Sequence, residues 1–508
     1  MKDELWAIGV SSLTWPDYAI LVALLAAMIG IGTWIGRKGG TTQQFFLARR
    51  QVPWWAACLS FVATEVSAVT LIAVPATAFR ENWNYAQFFI GSFAARAVIA
   101  YWFIPAFYHY NCTTIYEFLK YRFGPASQYT ATIFFFITRL LGSGVRLMAA
   151  SLAVAVLLGW PIFPSIALFM GVGIAYIIYG GIESVVWTGV MQAGIFIIGG
   201  LVSIAYLLAH ITGGWAAVQQ IAGAAGRLQF WDWGPSFSDP AFIRKFFADP
   251  NIVWIAILNG FFGSLAAFGT DHELMQRLLT LDTRRESQRT MITTPFASLF
   301  VLLIYLTVGT CLFVFYQQNP QLPLPAKLDA IFPHFIGHGM PVLMRGLLLS
   351  AIVMASIDSP LASLTASFVT DIYKPLIQKD REDSHYMRVS RLSIVVFAIL
   401  LAIIAYVFSF FQNILWLAFK IGGVTFGSML GVFLLGLFTQ RKANRANVIG
   451  MIVMALMNAT LLALSEFHVL TMGWTWLVLI GTAGTFAIGY LGGSKPDSAA
   501  SGPASARL

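Results

Sequence analysis

The sequence predicts an all-α integral membrane protein of about thirteen transmembrane helices, and three observations predict it. Hydrophobic residues make up 58% of the 508 positions and charged residues 10%, which would leave a water-soluble globule with more apolar surface than it can hide. Apolar runs recur at intervals of roughly thirty residues, each long enough for a helix to cross about 30 Å of hydrocarbon. Lys and Arg collect in alternate loops, the signature of a polytopic chain.

In chain order the spans fall at 17–36, 54–79, 84–108, 127–159, 161–180, 184–211, 251–274, 291–317, 341–372, 388–411, 413–438, 446–465 and 472–492. They form one transmembrane domain over 1–492. Residues 493–508, rich in Ser, Ala, Gly and Pro, have the composition of a disordered cytoplasmic tail. The first span is expected to stay in place: Asp3 and Glu4 stand where a signal peptide carries basic residues, and no small-residue cleavage site is evident. Loops are short except 212–250, whose Phe230, Trp231 and Trp233 suit either an aromatic belt anchor or a lid over a vestibule.

The net charge of +9 could suggest a nucleic-acid partner, but its distribution among the loops argues for membrane topology instead. One set of loops carries Arg37, Lys38, Arg49, Arg50, Lys120, Arg122, Arg277, Arg284, Arg285, Arg289, Lys374, Lys379, Arg381, Arg388, Arg391, Arg441, Lys442, Arg445, Lys495 and Arg507. The other holds Lys2, Arg80, Arg227, Arg244, Lys245, Lys327 and Arg345. This predicts a multi-pass protein of the bacterial inner (plasma) membrane with its N-terminus outside and its C-terminus cytoplasmic.

Several function classes are excluded. No GxxxxGK[ST] motif supports ATP-driven transport, and no HExxH or nucleophile-and-base constellation supports an enzyme. Cys58, Cys112 and Cys311 are widely spaced and read as apolar filler. Energy for accumulating a solute must then come from an ion gradient, sensed by polar groups inside the spans.

Six ionisable side chains fall there: Glu65, Arg96, Arg139, Arg146, Asp358 and Lys420. Facing lipid would cost each a few kcal/mol, so they are placed toward a bundle interior or an aqueous cavity, as site residues or as structural pairs such as Glu65 with Arg146. The second span runs Ser60-Phe61-Val62-Ala63-Thr64-Glu65-Val66-Ser67-Ala68-Val69-Thr70 and continues to Pro75. Such a stretch suits a locally unwound helix with cation-binding carbonyls, or a helix using small residues for close packing. In the ninth span Ser356, Asp358 and Ser359 lie within one turn and offer the oxygen-only ligands a hard cation prefers. Serines bonded back to their own helix are the alternative.

A set of motifs in fixed order then bears on family. They are Thr114-Ile115-Tyr116-Glu117-Phe118-Leu119 before Arg122-Phe123-Gly124, Tyr179-Gly180-Gly181 before Val185-Val186-Trp187-Thr188, Gln276-Arg277, Asp371-Ile372-Tyr373-Lys374, and Phe433-Leu434-Leu435-Gly436-Leu437-Phe438. With these, the chain resembles the sodium:solute symporter family from about residue 17 to 450. The resemblance implies a LeuT-like core of two inverted five-helix repeats, about 54–211 and 251–438, plus one leading and two trailing helices. It implies import of a small polar organic solute, such as a sugar, polyol or sugar acid like sialic acid, together with a sodium ion, and no obligate protein partner.

By the same resemblance the sodium ligands are the carbonyls of Ala63, Val66 and Ile352 and the hydroxyl of Ser356, between the broken second span and the ninth. Two positions depart from the family pattern. Ala355 stands where many members have Ser, and Gly189 follows Trp187-Thr188 where some members place an Asp of an additional sodium site. Asp358, beside Ser359, either replaces that carboxylate or pairs with a nearby base. The implied solute site draws on Glu65, Ser67, Thr70, Asn84, Gln87 and Ser264, with Lys420 as a further intramembrane candidate. Ala267 replaces an aromatic gate. Arg139 or Arg146 is expected to meet a solute carboxylate. Proton coupling through Glu65 or Asp358, and a non-transporting solute sensor, are the competing functions.

Overall fold

The computed structural model describes residues 13–36, 41–158, 160–236, 238–240, 242–249, 251–325, 328–357, 360–410, 414–467, 469–470 and 472–494. Among these the protein is helical throughout, with one isolated bridge between Lys442 and Ser494. Asp3, Glu4, Asp358, Ser359 and the tail from 495 onward lie outside the described residues, as do the side chains of Ala355, Ser356 and Lys420.

By length and composition, 7 described helices can cross a membrane, or up to 9 when each of two bent pairs counts as one span. Shorter apolar helices, Met344–Met354, Gly422–Phe438 and Trp476–Gly492, accompany them. The 49-residue helix Ile162–His210 occupies the stretch where two spans were expected and turns at Gly181 (φ 55°, ψ −143°). A Cβ at Gly181 would lie 2.3 Å from the Phe45 carbonyl oxygen. Only glycine combines that positive φ with so close an approach.

Two spans are broken. Trp54–Glu65 and Thr70–Arg80 meet at 60°, and Val253–Gly269 and His272–Leu279 at 64°. The first break was legible from its small and hydroxyl residues. The second was not expected, and its cause is local: Asp271 is extended (φ −100°, ψ 119°), and its side chain caps the following helix by accepting from the Glu273 amide at 2.9 Å. An Asp that starts a helix within a span ends the one before it. The Thr270 carbonyl thus freed accepts from the Tyr116 hydroxyl at 3.1 Å.

Motifs that mark the sequence turn out to be joints between spans. Thr114 begins the short helix Ile115–Arg122 with a capping box completed by Glu117. Its hydroxyl also donates to Asp371 at 2.7 Å, where Gln128 donates at 2.9 Å. Arg122 donates to the Gly436 carbonyl at 2.9 Å, and Gln276 to that of Phe46 at 3.0 Å. Buried polar side chains with fixed partners of this kind hold helices in register where lipid supplies no hydrogen bonds.

At the other end, Arg345 chelates Asp17 through Nε (3.0 Å) and Nη2 (2.6 Å), fastening the leading helix Trp15–Gly36 to the start of Met344–Ile357. The 212–250 loop is strapped onto the junction of the second and third spans. Trp83 N–H donates to the Gln229 carbonyl (3.0 Å), Arg227 to that of Glu81 (3.0 Å), and the Asp232 amide to Gln87 Oε1 (3.2 Å). Its rings stack, Trp231 on Trp233 at 5.8 Å, and Trp233 meets Trp254 at 6.2 Å.

Candidate functional site

The first break frees backbone oxygens at two of the expected positions. In a continuous helix the Ala63 carbonyl would accept from the Ser67 amide and the Val66 carbonyl from that of Thr70. Instead Ser67 N–H turns to the Glu65 carbonyl (3.1 Å) and Thr70 N–H to the Ser67 carbonyl (2.9 Å). The backbone accounts for the change, since Val66 (φ −81°, ψ 81°) and Ser67 (φ −80°, ψ 171°) both leave helical geometry. Ala63 and Val66 are buried. Carbonyls without helical donors in such a place are suited to a cation. Ile352 is likewise buried, on Met344–Ile357, whose Met354 carbonyl accepts from Gln192 at 3.0 Å. Gly189 packs directly on Ser60: a Cβ there would lie 2.6 Å from Ser60 Oγ and 2.9 Å from its Cα. An Asp has no room at that position in this packing.

Glu65 sits at the end of Trp54–Glu65 with both oxygens engaged. Oε1 pairs with Arg96 Nη2 at 2.5 Å, and Oε2 accepts from Ser298 Oγ at 2.5 Å. Arg96, fully buried, also donates to Thr294 Oγ (2.8 Å) and stacks over Phe268 with its guanidinium 4.2 Å from the ring centre. Ser264 donates to Ser92 Oγ (2.8 Å), which in turn accepts from Arg96 Nε (3.4 Å). One charge pair therefore gathers the second, third, seventh and eighth spans. The sequence offered Arg146 as an example of a partner for Glu65; the structure supplies Arg96.

Arg139 is occupied too. It forms ion pairs with Asp271, in the second break, and Glu273, in the first turn of the helix that follows. Arg277 donates through Nε to Ser60 Oγ (3.1 Å) and through Nη1 to the Glu273 carbonyl (2.5 Å), joining His272–Leu279 to Trp54–Glu65. Arg146, seven residues beyond Arg139 on Pro125–Leu158, is exposed. Ser67, in the first break, and Thr70, just after it, are half-buried, and Asn84 is buried. Gln87 is spent on structure, donating to the carbonyls of Asn84 and Asn251, each at 3.0 Å, and holding the Asp232 amide.

Arg96 as the counter-charge of Glu65, and the acidic pair around Arg139, were missed in the sequence. Asp271 carried a signal: an N-cap residue followed two positions later by Glu inside an apolar span marks a helix start.

The family model for the sodium:solute symporter family matches residues 45–453. The chain belongs to that family. Similar members include the sodium/sialic acid symporter SiaT of Proteus mirabilis, 31% identical over 86% of this chain and 87% of the relative. Another is the sodium/sialic acid symporter NanT of Aliivibrio fischeri, 28% identical over 94% and 92%. A substrate-bound, outward-open Na+-coupled sialic acid symporter superposes with a TM-score of 0.82 at 27% identity, covering 95% of this chain and all of that one. As a sodium:solute symporter the chain is a multi-pass, LeuT-like transporter that couples a solute to sodium, and it is not an enzyme.

Proposed function

We propose that the solute is a sialic acid or a sugar acid of similar size, carried with sodium into a bacterial cell by alternating access. The observation that carries the proposal is the division between two arginines on one helix. Arg139 is held by Asp271 and Glu273 inside the bundle, and Arg146, two turns further along the same helix, is exposed within a span. An arginine so placed is stable when it faces an aqueous cavity, where its planar fork suits a carboxylate. The names of two relatives support a sialic acid.

On this reading Arg146 meets the solute carboxylate, and Ser67, Thr70 and Asn84 offer hydroxyl and amide groups to its polar edge. Glu65, Ser264 and Gln87 shape the site through the bonds they already make. Sodium binds the carbonyls of Ala63, Val66 and Ile352 with the Ser356 hydroxyl. The cation-rich loops face the cytoplasm, which puts the N-terminus outside.

Thermal stability of the purified protein with sialic acid, neutral sugars and monocarboxylates, each in sodium and in choline, tests this. A ligand at about a hundred times its Kd adds roughly 2.7 kcal/mol to the folded state. Stabilisation by sialic acid that needs sodium and is lost in Arg146→Gln is expected. Equal stabilisation by a neutral sugar would remove the sugar acid from consideration.

A further inference from the structure

The eighth span, Arg284–Gln318, is 35 residues long, about 52 Å at 1.5 Å per residue. Hydrocarbon takes up roughly 30 Å of that length, so the first turns of the helix reach into the lipid headgroups. Arg285, Arg289, Phe296 and Phe300 are all exposed, and their spacing puts them on one side of the helix. Two cations at the headgroup end of an apolar strip are complementary to a lipid with an anionic headgroup.

The strip has defined neighbours. Arg289 stacks on Trp54 with its guanidinium 3.8 Å from the ring centre, and the Trp54 carbonyl accepts from Thr290 Oγ1 at 3.2 Å. Trp54 opens the helix Trp54–Glu65, a position suited to an interfacial tryptophan. Phe296 meets Phe93 of the third span edge-on at 4.6 Å. Among the described residues no carboxylate lies within ion-pair distance of Arg285 or Arg289. Both guanidinium forks are therefore open to a phosphate.

We propose that Arg285 and Arg289, beside Trp54, bind the phosphate of one anionic phospholipid whose acyl chains run along Phe296 and Phe300. Charge selects this lipid, because a zwitterionic headgroup brings its own cation to the phosphate and gains less from two arginines. On the proposed topology these residues lie at the inner leaflet, whose anionic lipids attract juxtamembrane Lys and Arg.

The bound lipid steadies the frame around Glu65. Thr294 and Ser298, which hold Arg96 and Glu65, stand on this same helix. Pro295 lies between them and has no amide to offer the Met291 carbonyl, which accepts from Thr294 Oγ1 at 2.9 Å instead. The turns before Pro295 are thus less firmly joined to the rest of the span. A headgroup that holds Arg289 on Trp54 fixes them to the start of Trp54–Glu65. Faster transport in anionic lipid follows, a consequence that rests on the symport reading. Binding itself does not.

Native mass spectrometry of the purified full chain, titrated with phosphatidylglycerol in a neutral detergent, tests the site. One phosphatidylglycerol per chain, retained in excess phosphatidylcholine, is expected. Arg285→Gln alone should weaken its binding about fivefold and the double variant with Arg289→Gln about twenty-five-fold. Arg381→Gln, which removes an exposed cation from another loop of the same set, should leave it unchanged. Wild-type affinity in the double variant, or an equal loss in Arg381→Gln, overturns the proposal. Displacement of the lipid by an equal concentration of glycerol phosphate also overturns it, because the acyl chains would then contribute nothing. In proteoliposomes, sodium-driven sialic acid uptake by the wild type should be faster with phosphatidylglycerol than in phosphatidylcholine alone, and the double variant should show no such difference. Equal wild-type uptake in the two lipids overturns the steadying role. Absent uptake in both, with phosphatidylglycerol still bound, would count against the solute while upholding the lipid site.

Discussion

Replacing Glu65 with Gln tests the charge pair around which four spans are gathered. Arg96 has no exposed surface, while the Glu65 side chain keeps 17%. Glu65→Gln therefore strands a cation that water cannot reach, and breaking a buried pair from one side costs about 3–5 kcal/mol. Part of that is offset, because Arg96 keeps Thr294, Ser92 and the face of Phe268, the last worth about 0.5–2 kcal/mol. The net expectation is a loss of about 3 kcal/mol. Arg96→Met should cost less, since the remaining carboxylate retains Ser298 and some solvent. The double variant Glu65→Gln with Arg96→Met should recover part of the loss, giving a coupling energy of about 1–3 kcal/mol. Unfolding of the purified protein by heat and by denaturant, for the two single variants and the double, reads these terms. Additive losses, or an unaltered Glu65→Gln, would show that the pair does not hold the bundle together.

Other perturbations separate structural from solute-facing groups. Arg139→Gln should destabilise the fold by about 3–5 kcal/mol by leaving Asp271 and Glu273 buried without it, whereas Arg146→Gln should abolish the sialic acid shift. Gly189→Ala forces a methyl onto Ser60 and should cost about 1–3 kcal/mol as an overpacked contact; a wild-type melting temperature would refute the contact. If one sodium drives each cycle, sodium activation of uptake should be hyperbolic, and a sigmoidal curve would favour Asp358 as a ligand of a second ion. Tyr116→Phe leaves the Thr270 carbonyl at the second break without its donor, and should cost about 1–3 kcal/mol in the same unfolding assay.

The helical membrane fold was legible because hydropathy reports it span by span, and the first break because Ser67, Pro75 and the surrounding small residues are poor continuations of a helix. The second break hid inside Thr270-Asp271-His272-Glu273, where a cap residue lies in an otherwise apolar run and composition averages it away. Side-chain partners were the least legible. Glu65 and Arg96 are thirty-one positions apart and Arg139 and Asp271 one hundred and thirty-two, and no local pattern sets which of several intramembrane arginines meets which acid. Tertiary packing decides that. Arg139 and Arg146 look alike in sequence, and only the packing shows that Arg139 is the one paired with Asp271 and Glu273.

The geometry at the first break also gives the coupling between ion and solute a physical form. A ligand shifts a conformational equilibrium only by its difference in affinity for the two states. On the proposed assignment the sodium carbonyls are those of Ala63, just before the bend, and Val66, in it, while the solute-facing Ser67 and Thr70 lie in the bend and just after it. Glu65, between Ala63 and Val66, is fixed to the third and eighth spans through Arg96 and Ser298, and Ser60, earlier on the same helix, is fixed to the second broken helix through Arg277. The half before the bend is thus anchored on both sides, so rotation of the half after it is concentrated at Val66 and Ser67. Any such rotation changes the sodium ligand set and the solute ligand set together. Occupying one site biases the bend that shapes the other, and releasing sodium removes that bias from both.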